Sequence, residues 1–218
     1  MSLIEVNQLK KSFGSVEILK GIDLSFEEGE HYVIKGSSGS GKSTFLYLLG
    51  GLDRASEGSV HFQGFDISKF SDEKLAQFRN QNVGFVFQFH FLLPNLTCLD
   101  NILLPARIGG RKEKKIKENS VKLADYLNVS HCLKKYPFEL SGGEQQRINI
   151  IRSLSLAPKL LLCDEPTGNL DSENSMKVTK LLKGLAQEFN STMIIVTHDG
   201  AVANNFQHVY EMKDGLLV

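Results

Sequence analysis

Charge of one sign, paired cysteines and long apolar runs are all missing from this chain of 218 residues. Lysine plus arginine equals aspartate plus glutamate, 25 each, so no net field draws the protein onto nucleic acid or an anionic membrane. Cys98, Cys132 and Cys163 are odd in number, far apart and without C-x-x-C spacing. That argues against a disulfide framework and a zinc knuckle, and for reduced thiols in a cytosolic protein. No apolar run nears the roughly eighteen residues a membrane span needs, and the start, MSLIEVNQLKK, lacks a signal peptide's apolar core. Work at a membrane therefore needs something else as anchor. The stretch RKEKKIKE (111–118) is locally basic, but mixed signs on a helical pattern read as a solvated face. Repeats and low-complexity linkers are lacking too, so the length fits one compact domain, or one core carrying an inserted lobe.

What is present begins with alternation. LIEVNQL (3–9) and ILKGIDLSF (18–26) read as strands with one wet face. The polar turn EEGE (27–30) leads into HYVIK, so an antiparallel region precedes the first glycine-rich loop, and SEGSVHFQG extends it. Residues 71–81 look helical behind a Ser–Asp start. After apolar VGFVF and a loop holding Pro94, Thr97 and Asp100 make a capping pair for a helix through Arg107. Further helices are expected over 112–127 and 141–156. KLLLC is a continuous apolar run, as a strand buried on both faces requires. Val178, Leu181, Leu182, Leu185 and Phe189 then recur at helical spacing, and TMIIV returns to strand. This alternation indicates a parallel α/β sheet interrupted by a mostly helical insertion over about residues 89–158.

Two stretches look made to hold an anion. The first, GSSGSGKST (36–44), contains the pattern G-x-x-x-x-G-K-[ST] between a strand and a helix, the context in which it cradles phosphates. Gly36, Ser37, Ser38, Gly39, Ser40, Gly41 and Thr44 supply the loop and helix start, where backbone N–H groups and the helix N-terminus favour negative charge. Lys42 can reach the β- and γ-phosphates, and Ser43 can offer its hydroxyl to Mg²⁺. LLLCDE then ends a strand on Asp164 and Glu165, and ligands gather at the carboxyl ends of such strands. Asp164 is the candidate magnesium holder, and Glu165 the candidate base or orienter for attacking water. The second stretch, LSGGEQQR (140–147), opens another helix a hundred residues later, and one nucleotide reaches both only if the fold, or another subunit, brings them together.

The order of GSSGSGKST, Gln88 after FVF, LSGGEQQR, LLLCDEP, GNLD and VTHD resembles the ATP-binding-cassette ATPases over essentially the whole chain. The resemblance implies a P-loop cassette: an α/β fold with a RecA-like parallel-sheet core, an N-terminal antiparallel β region and an inserted helical subdomain. It implies one nucleotide-binding domain over 1–218, with the helical subdomain near 89–158, and ATP and Mg²⁺ as ligands. It also implies that two cassettes close head to tail when ATP binds, Ser141, Gly142 and Gly143 of one meeting the γ-phosphate held by the other. By the same resemblance Gln88 senses Mg²⁺ and the membrane partner, Asp171 sits at the dimer interface, and His198 contacts the γ-phosphate. Phe13 lies where the family often stacks an aromatic ring on adenine; a core position is the competing reading.

Some residues depart from the family pattern. RINIIRSL after the signature is bulkier than usual, and Lys35 and Cys163 are less usual neighbours of the two nucleotide motifs. The end soon after EMKDG leaves no room for a regulatory domain, and the lack of a second cassette favours transport over DNA-repair or translation relatives. DEPTGNLD and RNQNVGFVFQFHFLLPNLTCLDNILLP resemble the subgroup that serves lipoprotein release and macrolide export. The expectation is an ATPase at the cytoplasmic face of the inner membrane, attached to integral permease subunits and driving lipoproteins toward the outer membrane. A macrolide-type exporter or a cell-division cassette that signals across the membrane is the alternative. In FHFLLPNL (89–96), about half the apolar side chains should enter the core and the rest form a partner surface. The resemblance puts a docking groove for a permease helix here, with Phe91 or Leu92 reaching it.

Overall fold

A computed structural model describes residues 1–168 and 170–218; Asn169, in GNLD, lies outside the described residues. The chain opens with β1 (Ser2–Phe13), β2 (Val16–Glu27) and β3 (His31–Lys35), then α1 (Lys42–Leu49). β4 (Glu57–Phe62), β5 (Phe65–Asp66), α2 (Asp72–Asn82) and β6 (Val83–Phe87) follow. Three helices come next, α3 (Cys98–Ile108), α4 (Glu113–Tyr126) and α5 (Gly142–Leu154). The rest alternates: β7 (Leu160–Asp164), α6 (Ser172–Glu188), β8 (Thr192–Thr197), α7 (Gly200–Ala203), β9 (His208–Lys213) and β10 (Leu216–Leu217).

Two sheets result. One is antiparallel in the order β2-β1-β4-β5; the other runs β10-β9-β3-β8-β7-β6 and is parallel apart from its β10 edge. The turn at 27–30 is therefore a crossing between sheets: β3 pairs with β8 and β9, both distant in sequence. That central place suits a strand whose Tyr32, Val33 and Ile34 are all buried.

Alternation along the parallel strands divides the core in two. Leu161 and Cys163 of β7, with Met193 and Ile195 of β8, face one cluster under α3, α5 and α6. Leu160, Leu162, Ile194 and Val196 face the opposite cluster, filled by Phe45, Leu46 and Leu49 of α1 and by Phe26 of the antiparallel sheet. Each such side chain contributes about 1.5–3 kcal/mol by leaving water. The bulky positions after the signature join this packing, since Ile148, Asn149, Ile150, Ile151 and Leu154 are all buried. Lys35 finds Glu211 at 2.9 Å, and Lys114, Lys115 and Lys117 lie on the solvated side of α4.

Helix starts follow the caps read from the sequence. Ser71 accepts the N–H of Lys74 at α2, and Thr97 accepts that of Asp100 at α3. Among the described residues no helix is long and apolar enough to cross a membrane.

Candidate nucleotide site

The glycine-rich loop links β3 to α1 at the carboxyl edge of the parallel sheet, which is where ends of β7 and β8 also arrive. Gly41 takes φ +104°, and a Cβ there would stand 2.9 Å from Leu19 and 3.2 Å from the Ile18 carbonyl. Only glycine fits both demands. The loop borders a cleft of about 710 Å³ lined by Ser37, Ser38, Gly39, Gly41, Lys42, Ser43 and Thr44. Gln88, Glu165 and His198 line the same cleft from three other strand ends, so residues far apart in sequence meet in one space.

Lys42 is 5% exposed, and its ammonium donates to the carbonyls of Gly36 (2.9 Å) and Ser37 (2.8 Å). Glu165 Oε1 stands 3.9 Å from the same nitrogen. His198 faces Glu165 twice: Nδ1 lies 3.0 Å from Oε1, and its backbone N–H donates to Oε2 at 3.3 Å. Glu165 adopts φ +45°, a backbone choice costing a non-glycine residue about 1–3 kcal/mol. Its N–H donates to Val196 O, and its carbonyl accepts from Gly168, so both flanks hold that conformation.

Asp164 is 8% exposed and bridges two residues of α1. Ser43 donates to Oδ1 at 2.8 Å and Tyr47 to Oδ2 at 2.7 Å. Burial and this carboxylate push the Tyr47 phenol well above its ordinary range, so it remains a donor. Ser43 and Gln88 line the cleft, and the Asp164 carboxylate stands behind it, bonded to the Ser43 hydroxyl; hydroxyl, carboxylate and amide are the oxygen-bearing groups that suit a hard cation such as Mg²⁺.

Other expected residues lie apart from the cleft. Ser141 caps α5 and accepts the N–H of Glu144, while Glu144 Oε2 accepts from the Ser141 N–H (2.8 Å) and hydroxyl (2.7 Å). Ser141, Gly142 and Gly143 are exposed, and none of them lines the cleft. Gln146 ties the same helix to the Pro166 carbonyl, next to Glu165. Asp171 caps α6 by accepting the Asn174 N–H at 2.9 Å and is also exposed. Phe13 is 54% exposed with the Lys11 ammonium 4.6 Å over its ring, so it is not a core aromatic; it too lies outside the cleft lining.

Below the cleft, Phe85 and Phe87 stack at 5.3 Å along a groove of about 220 Å³ shared with Pro105, Leu156 and Pro158. Arg152 of α5 donates to the carbonyls of His90 (2.7 Å) and Phe91 (2.8 Å), and Asn101 of α3 pairs with both backbone groups of Leu93. Phe89 and Phe91 are thereby held outward. Leu92 is half-buried and packs against the core beneath α3 and α5, so of the two expected contacts, Phe91 or Leu92, Phe91 is the one that stands exposed. The inward turn of Leu92 follows the left-handed backbone at Phe91, φ +47°, which breaks simple alternation.

Sequence reasoning missed Ile18, Tyr47 and Arg152. Ile18 reads like any strand residue. Tyr47 left a signal, since it stands four positions after Ser43 on the same helix face.

Comparison with known proteins agrees with this architecture. Residues 19–168 match the model of the family described as ABC transporter, and the chain belongs to that family. It is an ATP-binding subunit of an ABC transporter. Among its relatives is the lipoprotein-releasing system ATP-binding protein LolD of Porphyromonas gingivalis, 44% identical over 99% of this chain and 98% of that protein. A solved dimeric structure of a bacterial ABC transporter cassette superposes with TM-score 0.90 at 35% identity, covering 98% of this chain and 96% of that one. A dimeric post-hydrolysis state of an ATP-binding cassette, bound to ADP and Pi, gives TM-score 0.87 at 35% identity with the same coverage.

Proposed function

We propose that this chain is the motor of a lipoprotein-releasing transporter, acting as one nucleotide-binding domain over 1–218 with its helical lobe near 89–158. Two copies close on ATP at the cytoplasmic face of the inner membrane, against integral permease subunits. The observation that carries this reading is the division of the two glycine motifs. One chain gathers Lys42, Ser43, Gln88, Glu165 and His198 around a cleft, yet presents Ser141, Gly142 and Gly143 outward. A second copy can offer the exposed set to the first copy's γ-phosphate, with Asp171 beside it. The relative named for lipoprotein release, alike over nearly its full length, supports the choice of cargo.

In this reading the amides of 36–44 and Lys42 hold the phosphates, and the exposed Phe13 ring stacks on the base. Ser43, Gln88 and Asp164 would hold Mg²⁺, which would neutralise phosphate charge. Glu165 takes a proton from the attacking water as oxygen bonds to the γ-phosphorus and ADP leaves. His198 positions Glu165 and meets the same phosphate. Phe91 and the groove at Phe85 and Phe87 receive the permease helix.

Glu165→Gln should keep ATP binding and slow hydrolysis by roughly 10²–10⁴-fold, trapping an ATP-bound dimer visible by light scattering. The permease-bound complex is the control, since isolated cassettes can dimerise weakly. A persistent monomer in both settings would count against the two-site reading. Phe91→Asp should fold and bind ATP yet lose co-purification with the lipoprotein-releasing permease, a contact penalty of a few kcal/mol. Retained co-purification would move the docking surface elsewhere.

A further inference from the structure

A second chemistry sits at the other end of the signature's cap. His131 Nε2, Cys132 Sγ and Glu144 Oε1 form a triangle with sides of 2.9 Å (His–Glu), 3.3 Å (His–Cys) and 3.4 Å (Cys–Glu). Among the described residues this is the one group of three His, Cys, Asp or Glu side chains close enough to share an ion. We propose that it is a zinc-class metal site, in which imidazole, thiolate and carboxylate take three positions and the fourth faces solvent.

Bond lengths support the fit. Zinc takes sulfur at about 2.3 Å and imidazole or carboxylate at about 2.0–2.2 Å in a tetrahedron, which places neighbouring donors about 3.4–3.6 Å apart. Every side of the observed triangle lies within roughly half an ångström of that range. The mixed nitrogen, sulfur and oxygen set suits a borderline-soft ion and not the hard cation of the nucleotide cleft. No C-x-x-C spacing announces the site: two ligands are adjacent on the turn Ser130–Cys132, and the third comes from the first turn of α5. His131 is 59% exposed and offers the way in, whereas Cys132 is buried.

Burial, then the Glu144 carboxylate, pushes the Cys132 thiol up to about 11, so it is protonated at neutral pH. Binding therefore releases that proton to solvent as sulfur bonds to the metal. His131 ligates through Nε2 while carrying its proton on Nδ1. Glu144 uses Oε1 for the metal and keeps Oε2 on the Ser141 N–H and hydroxyl. The ion thus ties the 130–132 turn to the cap of the signature helix, and occupancy and the cap's rigidity become linked.

The test titrates the full-length reduced protein with Zn²⁺ against a chromophoric chelator, and separately with Co²⁺ alone. One ion per chain is expected, with a near-ultraviolet thiolate-to-cobalt band. Cys132→Ser should remove the band, and His131→Ala, at an exposed position that spares the fold, should weaken Zn²⁺ binding at least tenfold. Cys98→Ser, Cys163→Ser and His198→Ala should leave both readouts unchanged. Absence of a thiolate band, unaltered affinity in His131→Ala, or loss of binding in His198→Ala would each overturn the site.

Discussion

The glycine loop at 36–44 and the glycine pair at 142–143 both open helices, yet the chain treats them in opposite ways. Around the first, polar side chains are mutually engaged and partly enclosed: buried Lys42 with two loop carbonyls, Ser43 and Tyr47 with buried Asp164, and exposed His198 with Glu165. Around the second, one carboxylate caps one serine, and the glycines have open space where a Cβ would stand. A site completed within one fold invests in burial and internal hydrogen bonds. The second stays open to solvent, its serine engaged only by Glu144 of the same helical turn, as the proposed contact with a second copy requires.

Lys42→Ala and Ser141→Arg break this comparison most strongly. Lys42→Ala should reduce ATP affinity of the isolated chain by about 10²-fold or more, because a buried charge-assisted phosphate contact disappears. Ser141→Arg should leave that affinity nearly unchanged and still abolish hydrolysis, since its bulk obstructs a second copy. Nucleotide titration beside an ATPase assay separates the two. Equal loss of binding in both variants would place Ser141 in its own chain's site.

Smaller changes should sharpen the contrast in stability. Tyr47→Phe removes a hydrogen bond to an enclosed carboxylate, worth about 2 kcal/mol, or roughly 4–8 °C in the melting temperature of a chain this size. Ser141→Ala removes a surface cap and should cost about 1 kcal/mol. Thermal melts that ranked them in the reverse order would contradict the division between enclosed and braced sites.

The smallest expected effect is a titration. Bonds from Ser141, then from His131 and Cys132, hold the Glu144 carboxyl down to about 2. A depressed carboxylate stabilises the fold above its ordinary range, and that contribution is lost as pH falls from the ordinary value, near 4.5, through about 2. A carboxyl carbon titration should show this low midpoint, and Ser141→Ala should raise it. An ordinary midpoint in the native protein would mean that the cap is not formed in solution.

Much of this was legible in the sequence because it is local. The helix starts at Ser71 and Thr97, and the strand–loop–helix frame around Lys42, need only near neighbours to form. The membership of β3 was not legible, because a strand's partners come from across the chain and HYVIK alone suits either sheet. The inward turn of Leu92 depends on one left-handed residue and on Arg152 sixty positions away, neither of which leaves a periodic trace. Asp164 was expected beside the phosphate loop, but its phenol partner required knowing which face of α1 meets β7.

The clamp that Arg152 and Asn101 place on residues 90–93 has a consequence for association rates and strengths. Fixing a loop residue's backbone costs about 1–2 kcal/mol in conformational entropy. Here four hydrogen bonds already hold that stretch, so under the proposed docking a helix arriving at Phe91 would meet a braced ledge instead of a loop that it must first order. If the proposed docking holds, such a ledge would favour repeated, fast engagement, since it would not need rebuilding between cycles.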